Sequence, residues 1–457
     1  MEKKISDEQK IYELSLIWSE AKYNFAFWDY LKDTVNWDEE YRKTLNRVLN
    51  TEDLFEYYQE LQRFVNLLRD GHTQVMFPDE IIYNERYCSF LPICTEYIDD
   101  EIIITNCSKN VADKIKLFSK VNRINGEPTI DYIRKNIFPY LWHEKFDSCY
   151  KDVNFYLTMG PINSVVSLEL EESGKKYIVD LKRKKFNPNW VFKPIHKRMF
   201  KLKKQYIFDD FYIEITDDDI AILTVKTFMN DFMILDMYKH INYLKSAKAF
   251  IVDVRDNDGG SSSNAAAVAS MFIGREFPSH NWLMAVNKST YMAWAVERKV
   301  CDFNYSDLKY YFDNAEFAEG LYKTRKHTYF EKQDSKSYTG VPDVLQGPVV
   351  VMLNERTASA AEDFLNMMRF NTKAVFIGNN SYGSTGIPLS YKLKSGGLVR
   401  ICSRHSLLLN NEEFTNKGIA PDIIVKPTIE SIKSGEDLCL ERSCLAGKRT
   451  GRRNYRF

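Results

Sequence analysis

The sequence predicts an α/β protein: a parallel β-α-β core preceded by a helical region and a β-rich module. Three observations carry this. Leu54, Tyr58, Leu61, Val65 and Leu68 recur at three- and four-residue spacing, which gives a helix one apolar face. From Arg86 to Lys182 short alternating runs such as Glu101–Thr105 replace that period. From Asp219 onward, runs of buried-strand character alternate with helical ones, the pattern of strands laid side by side through crossover helices.

Length and composition bound the answer. A chain of 457 residues exceeds one ordinary core, so two or three domains are expected. Lys plus Arg and Asp plus Glu are 63 each, so net charge is zero and argues against nucleic acid or an anionic membrane as partner. The first thirty residues carry charges throughout and show no signal-peptide pattern, and no apolar run is long enough to span a bilayer. A soluble, cytoplasmic protein is expected. Cys88, Cys94, Cys107, Cys149, Cys301, Cys402, Cys439 and Cys444 form no C-x-x-C and stand at no zinc-ligand spacing with a His. They read as free thiols, and neither a metal nor a cofactor is expected.

The elements follow in order. Residues 1–80 read as helices, with Ser6 and Gln9 at capping-box spacing and Gly71 where a helix end favours a left-handed residue. His72 comes next, before an alternating run from Thr73 to Phe77. A lone His there commonly bonds a helix-end carbonyl, and it is also held in place. Residues 86–140 read as a small β-rich module containing an Asn125-Gly126 turn, and 150–205 as further strands and a basic linker.

In the core, strands are expected at Ile220–Val225, Ala249–Arg255, Val349–Leu353 and Ala374–Ile377, and helices at Asp231–Leu244 and Ser262–Phe272. The aromatic-rich stretch 275–346, with Trp282, Trp294, Tyr310, Tyr311, Phe312, Tyr322 and Tyr329, reads as a lid-like insertion or a packed excursion. A hairpin is expected over Leu398–Leu409 with its turn at Asn410-Asn411, and 428–457 as a C-terminal tail, basic and frayed from Lys448.

Two turns invite chemistry. Gly259-Gly260, between a strand and a helix, would let backbone N–H groups approach a ligand, or would simply meet a need for positive φ. Ser359 falls where a strand passes to a helix, beside N–H groups that lack intrahelical acceptors. That is a good position for a nucleophile. Ser359-Ala-Ala-Glu362 is also a capping-box spacing, with Thr357 as the alternative cap.

Four stretches stand in a fixed order: Leu68-Arg-Asp-Gly-His72-Thr, Val252-Asp-Val-Arg-Asp-Asn-Asp-Gly-Gly260, Thr357-Ala-Ser359-Ala-Ala-Glu362 and Gly418-Ile-Ala-Pro-Asp422-Ile. Together they resemble the tail-specific, C-terminal processing serine proteases and the tricorn core protease. The resemblance implies a ClpP/crotonase-like spiral core over 206–427 and a PDZ-like module at 86–140. It implies a serine-type peptidase whose partner is a peptide or unfolded-protein substrate. Homo-oligomers are common among relatives of this fold, and no stripe here demands one.

One branch of that family uses a Lys base in the Gly-rich loop, where this chain has Ser384. The tricorn-like branch uses a His, which corresponds to His72, supported by a Ser and a Glu at positions that here are Gly71 and Thr415. The resemblance therefore assigns Ser359 as nucleophile, His72 as general base, and backbone N–H groups of Gly259 or Gly260 and of Ala360 as the oxyanion hole. Asp70, Glu412, Glu413, Ser384 and Thr415 are candidates for orienting His72. Asp253 and Arg255 read as a structural pair, His405 as a second imidazole outside any motif, and Glu362 as serving its helix N-terminus. Two other functions fit: a catalytically impaired peptide-binding relative, and an acyl-CoA enzyme on the shared fold.

Overall fold

The computed structural model describes residues 5–31, 34–141, 146–186, 189–192, 200–286, 303–312, 314–324, 329–333, 335–340 and 344–452. The chain divides into two units. The first comprises Met1–Pro78, Asn281–Ser335 and Gly386–Asn411; the second comprises Asp79–His280, Lys336–Thr385 and Glu412–Phe457.

The second unit is built on a seven-stranded sheet whose strands stand side by side in chain order. They are β1 (Leu202–Ile207), β2 (Phe211–Thr216), β3 (Ile220–Val225), β4 (Ala249–Asp253), β5 (Val349–Leu353), β6 (Val375–Gly378) and β7 (Ile423–Ile424). β1, β2 and β3 pair antiparallel, and β3 through β7 pair parallel. All five residues of β4 are buried, as expected of a central parallel strand covered on both faces.

Because successive side chains alternate, Ala249 and Ile251 face one way with Ile220, Ile222, Val350, Met352 and Ile377. Helix α4 (Leu438–Arg452) covers that set with Cys439, Leu440 and Cys444. Within the stretch expected as a C-terminal tail, Leu438–Arg452 is thus a helix packed on the core; of the residues expected to fray from Lys448, 448–452 continue that helix and 453–457 lie outside the described residues. The expected helix over 231–244 is α1 (Met233–Lys239) and a further short helix, Ile241–Lys245, interrupted at His240. Helices α2 (Ser262–Ser270) and α3 (Ala360–Asn371) pack against each other.

The β-rich module uses strands from both stretches anticipated as separate. Lys120–Ile124 pairs antiparallel with Val165–Glu172, so Ile93–Ile98, Glu101–Cys107, Lys120–Ile124, Val165–Glu172 and Lys175–Lys182 form one sheet. The boundary between 86–140 and 150–205 is thus crossed by pairing, and one apolar core from Leu91 to Leu181 serves both stretches. The Asn125-Gly126 turn has φ of 50° and 82°, the two positive values a tight hairpin needs. Of the basic linker, residues 187–188 and 193–199 lie outside the described residues.

In the first unit, helices Asp7–Asn24, Trp37–Leu49 and Leu54–Val65 carry the N-terminal apolar faces. Fully buried Glu13 accepts from Tyr57 Oη (3.0 Å), Ser395 N (2.7 Å) and Ser395 Oγ (2.7 Å), tying the first and third of those helices to the turn after residue 392. The hairpin expected over 398–409 is divided between two sheets. Leu398–Cys402 pairs with Pro388–Lys392 and Gln74–Met76, whereas Arg404–Leu407 pairs with Asn281–Val286. Ser403 interrupts the run, its N–H turned to Ile387 O at 3.0 Å. The aromatic insertion supplies strand Asn281–Val286, which also pairs with Tyr329–Gln333, and helices Tyr305–Tyr311 and Ala315–Thr324; Trp294 lies outside the described residues. In the second unit, Phe277–Pro278 and Ser337–Tyr338 at the ends of the insertion pair with each other.

Candidate active site

β5 ends at Leu353, and a polar turn carries the chain to α3. Thr357 holds that turn: its hydroxyl donates to Val254 O (2.9 Å) and accepts from Asn354 N (3.1 Å). Ala358 N donates to Asn257 O (2.9 Å), and Ser359 N to Ser384 O (3.0 Å). Ser359 occupies the N-cap position of α3 but makes no side-chain cap bond, and the Thr357 hydroxyl is directed to Val254 O instead.

Ser359 has φ 56° and ψ −124°, and Ala361 N donates to Ala358 O at 3.0 Å. These are the angles of the first central residue of a type II′ turn, a place that favours glycine. A serine there costs on the order of 1 kcal/mol or more. Conformation alone does not favour a hydroxyl at this point. The side chain is half-buried and reachable.

Gly259 and Gly260 lie between that turn and the end of β3, with φ of 99° and 138°. A Cβ on Gly259 would sit 2.6 Å from Ser359 Cβ and 2.8 Å from Ala360 N; one on Gly260 would sit 2.5 Å from Met229 N. Both positions therefore require glycine for space as well as for φ. The Gly259 N–H is already committed to Asn257 Oδ1 (2.9 Å), which removes it from the expected oxyanion donors. The N–H groups of Gly260 and Ala360 donate to no acceptor among the described residues.

Glu362 does more than serve its helix terminus. Its carboxylate is fully buried and accepts from Ser381 Oγ (2.6 Å), Gly383 N (2.7 Å), Ser384 N (3.0 Å) and Thr385 Oγ1 (2.9 Å). Thr385 Oγ1 also reaches Ser359 O at 3.1 Å. Burial pushes this carboxyl up to about 7 against the four hydrogen bonds, which pull it down. The carboxylate clamps the Gly-rich loop to the turn that carries Ser359.

Asp363, one residue on, accepts from Ser262 Oγ (2.5 Å) and lies 3.3 Å from His280 Nδ1, joining α3 to α2 and to the start of the insertion. No motif in the sequence singles out Asp363 or His280. Asp363 stands four residues beyond Ser359, one helical turn away, but nothing local announces its partners.

The remaining candidates divide by unit. Ser384 and Thr415 are buried in the second unit, where Asn416 N donates to Gly383 O (2.7 Å), and Glu412 is exposed there. Arg255 is paired in bidentate fashion to Asp253 and to Asp437 at 2.8–2.9 Å, so it is structural as expected. His72 and Asp70 belong to the first unit. There the left-handed residue is Arg69 (φ 50°), not Gly71, because the chain tightens into a 3-10 turn over Asn66–Leu68 before leaving the helix. Asp70 is buried and accepts from Thr73 Oγ1 at 2.6 Å, while that same hydroxyl accepts from Cys402 N at 2.9 Å. His72 is thus carried between two anchored residues. His405, also in the first unit, is buried with its ring 4.6 Å from that of Phe27. Among the described residues no cluster of His, Cys, Asp and Glu could hold a metal, and no helix is long and apolar enough to cross a membrane.

Residues 219–425 match the family described as peptidase family S41. The chain is 22% identical over 385 residues to a probable CtpA-like serine protease of Staphylococcus haemolyticus, covering 80% of this chain and 60% of that protein. It is 31% identical over 96 residues to the chloroplastic carboxyl-terminal-processing peptidase 1 of Arabidopsis thaliana, covering 21% of this chain and 20% of that one. The chain thus spans less than two thirds of either relative. Among solved structures, mature CPAF complexed with lactacystin superposes with a TM-score of 0.71 over 97% of this chain and 98% of that one, at 15% identity, a likeness of fold.

Proposed function

We propose, from the match of residues 219–425 to peptidase family S41, that this chain hydrolyses peptide bonds with Ser359 as nucleophile and His72 as general base. The observation that carries the reading is the Ser359 turn. A serine in a backbone conformation suited to glycine stands beside two backbone N–H groups, of Gly260 and Ala360, that have no described acceptor.

Ser359 Oγ attacks the scissile carbonyl carbon and gives its proton to His72. The carbonyl oxygen becomes an oxyanion that accepts from Gly260 N and Ala360 N; loss of one such donor typically costs about 3 to 4 kcal/mol in the transition state. The C–N bond breaks as His72 returns the proton to the leaving amine. Water, deprotonated by His72, then hydrolyses the acyl-enzyme. Glu362 acts through the loop it clamps, and Asp70 through the chain around His72.

The substrates are peptides or unfolded chains, and the β-rich module is a PDZ-like reader of them. The seven described cysteines are free thiols, which supports a reducing compartment such as the cytoplasm. Fluorophosphonate labelling with peptide mapping tests the reading on wild type, Ser359→Ala and His72→Ala. Label on Ser359 that is lost in both variants is the expected result. Folded protein that takes no label would overturn it and favour a peptide-binding role. A His base further requires kcat/KM to rise with pH through about 6 to 7; a rise near pH 9 would point to lysine instead.

A further inference from the structure

Met229, Phe232 and Leu235 are 72%, 72% and 59% exposed, on a segment that buries Phe228, Met233 and Met237 to at most 1% exposure and leaves Ile234 half-buried. The segment from Phe228 to Met237 therefore turns one apolar set inward and shows another, Met229 and Phe232 before α1 and Leu235 on it, outward. The inner set anchors it, and the outer set has no covering among the described residues.

The exposed residues are held firmly. Phe228 N donates to Gly259 O (2.9 Å), Ser261 N to Phe228 O (3.0 Å), and Asn264 Nδ2 to both Phe228 O (2.9 Å) and Asp231 Oδ1 (3.0 Å). Phe232 N donates to Asn230 Oδ1 (2.9 Å), and Asn230 Nδ2 to Asp210 (2.7 Å). The backbone that displays Met229 and Phe232 is thus bonded to the Gly259-Gly260 turn itself. Gly260 packs on the Met229 amide on one side, and Gly259 packs on Ser359 on the other.

We propose that Met229, Phe232 and Leu235 form an apolar subsite for a side chain of an extended peptide whose scissile carbonyl sits at Ser359. The inference rests on the peptidase reading and adds the substrate class: peptides with a large aliphatic or aromatic residue beside the cleaved bond. The occupant is a substrate side chain because the face is continuous with the oxyanion turn. The Met229 amide, which Gly260 packs against, joins the face to that turn. A platform on a hydrogen-bonded backbone gains contact area at a reduced ordering cost.

The test uses the full chain, with Phe232→Ser and the Met229→Ser/Phe232→Ser double variant, both surface changes. Two readouts are taken: the rate of fluorophosphonate labelling, which needs no peptide, and kcat/KM on paired peptides carrying Leu or Ser at the positions flanking the cleaved bond. The expected result is an unchanged labelling rate, with kcat/KM for the Leu peptide falling about tenfold or more through KM and that for the Ser peptide unmoved. Intact labelling with no change on either peptide would overturn the subsite and leave the nucleophile standing. So would a dimer that becomes monomeric in the double variant at unchanged kcat/KM, because the face would then be a contact between copies. No label on the wild type would sink both readings.

Discussion

Changing Glu362 to Gln tests the clamp on the Gly-rich loop. The carboxyl is fully buried, and burial raises it from 4.5 to about 7. The folded chain therefore binds this proton more tightly than the unfolded chain does. Its contribution to stability is fully present below about pH 4.5 and is lost as pH rises through about 7. A shift of 2.5 units corresponds to about 3 kcal/mol across that window.

Gln does not titrate. The difference in unfolding free energy, wild type minus Glu362→Gln, should therefore fall by about 3 kcal/mol between pH 4.5 and 7 and level off above. Urea unfolding followed by tryptophan fluorescence at a series of pH values measures it. Glu96 and Glu355, also raised by burial, cancel in the difference. Parallel curves for the two proteins would refute the reasoning. The Gln amide also presents an NH2 toward a ring of four donors, so labelling of Ser359 at neutral pH should slow as the loop loosens.

Ser359→Gly should abolish cleavage yet match or exceed wild-type stability, by about 1 kcal/mol, since glycine suits the φ of 56°; a lower urea midpoint would count against strain at this turn. Gly259→Ala, with its Cβ 2.6 Å from Ser359 Cβ, should displace the nucleophile and lower kcat about hundredfold or more in a peptide assay. Arg255→Met leaves Asp253 and Asp437 facing each other without a cation and should cost about 3–5 kcal/mol of stability by urea unfolding. Thr73→Val removes the hydroxyl between Asp70 and the Cys402 amide, and should slow labelling of Ser359 by releasing the chain around His72 while costing about 1–3 kcal/mol.

What the sequence determined by itself was whatever depends on neighbouring residues. The alternation of strand and helix from Ile220 to Ile377, the Asn125-Gly126 turn, the paired glycines at 259–260 and the serine at a strand-to-helix junction are all read from adjacent side chains, and four short stretches sufficed for the family. Tertiary structure decided where the hydrogen bonds of those residues go. Ser359-Ala-Ala-Glu362 has the spacing of a capping box, but the φ of Ser359 turns its side chain away from the cap, and Glu362 binds a loop some twenty residues later. Gly259 and Gly260 look equivalent in sequence, yet Asn257 takes one N–H and leaves the other. Leu398 to Leu407 alternates like one hairpin arm, but its halves find partners at residues 74–76 and 281–286. Local periodicity records which face is buried; which group satisfies a buried donor depends on segments that only folding brings alongside.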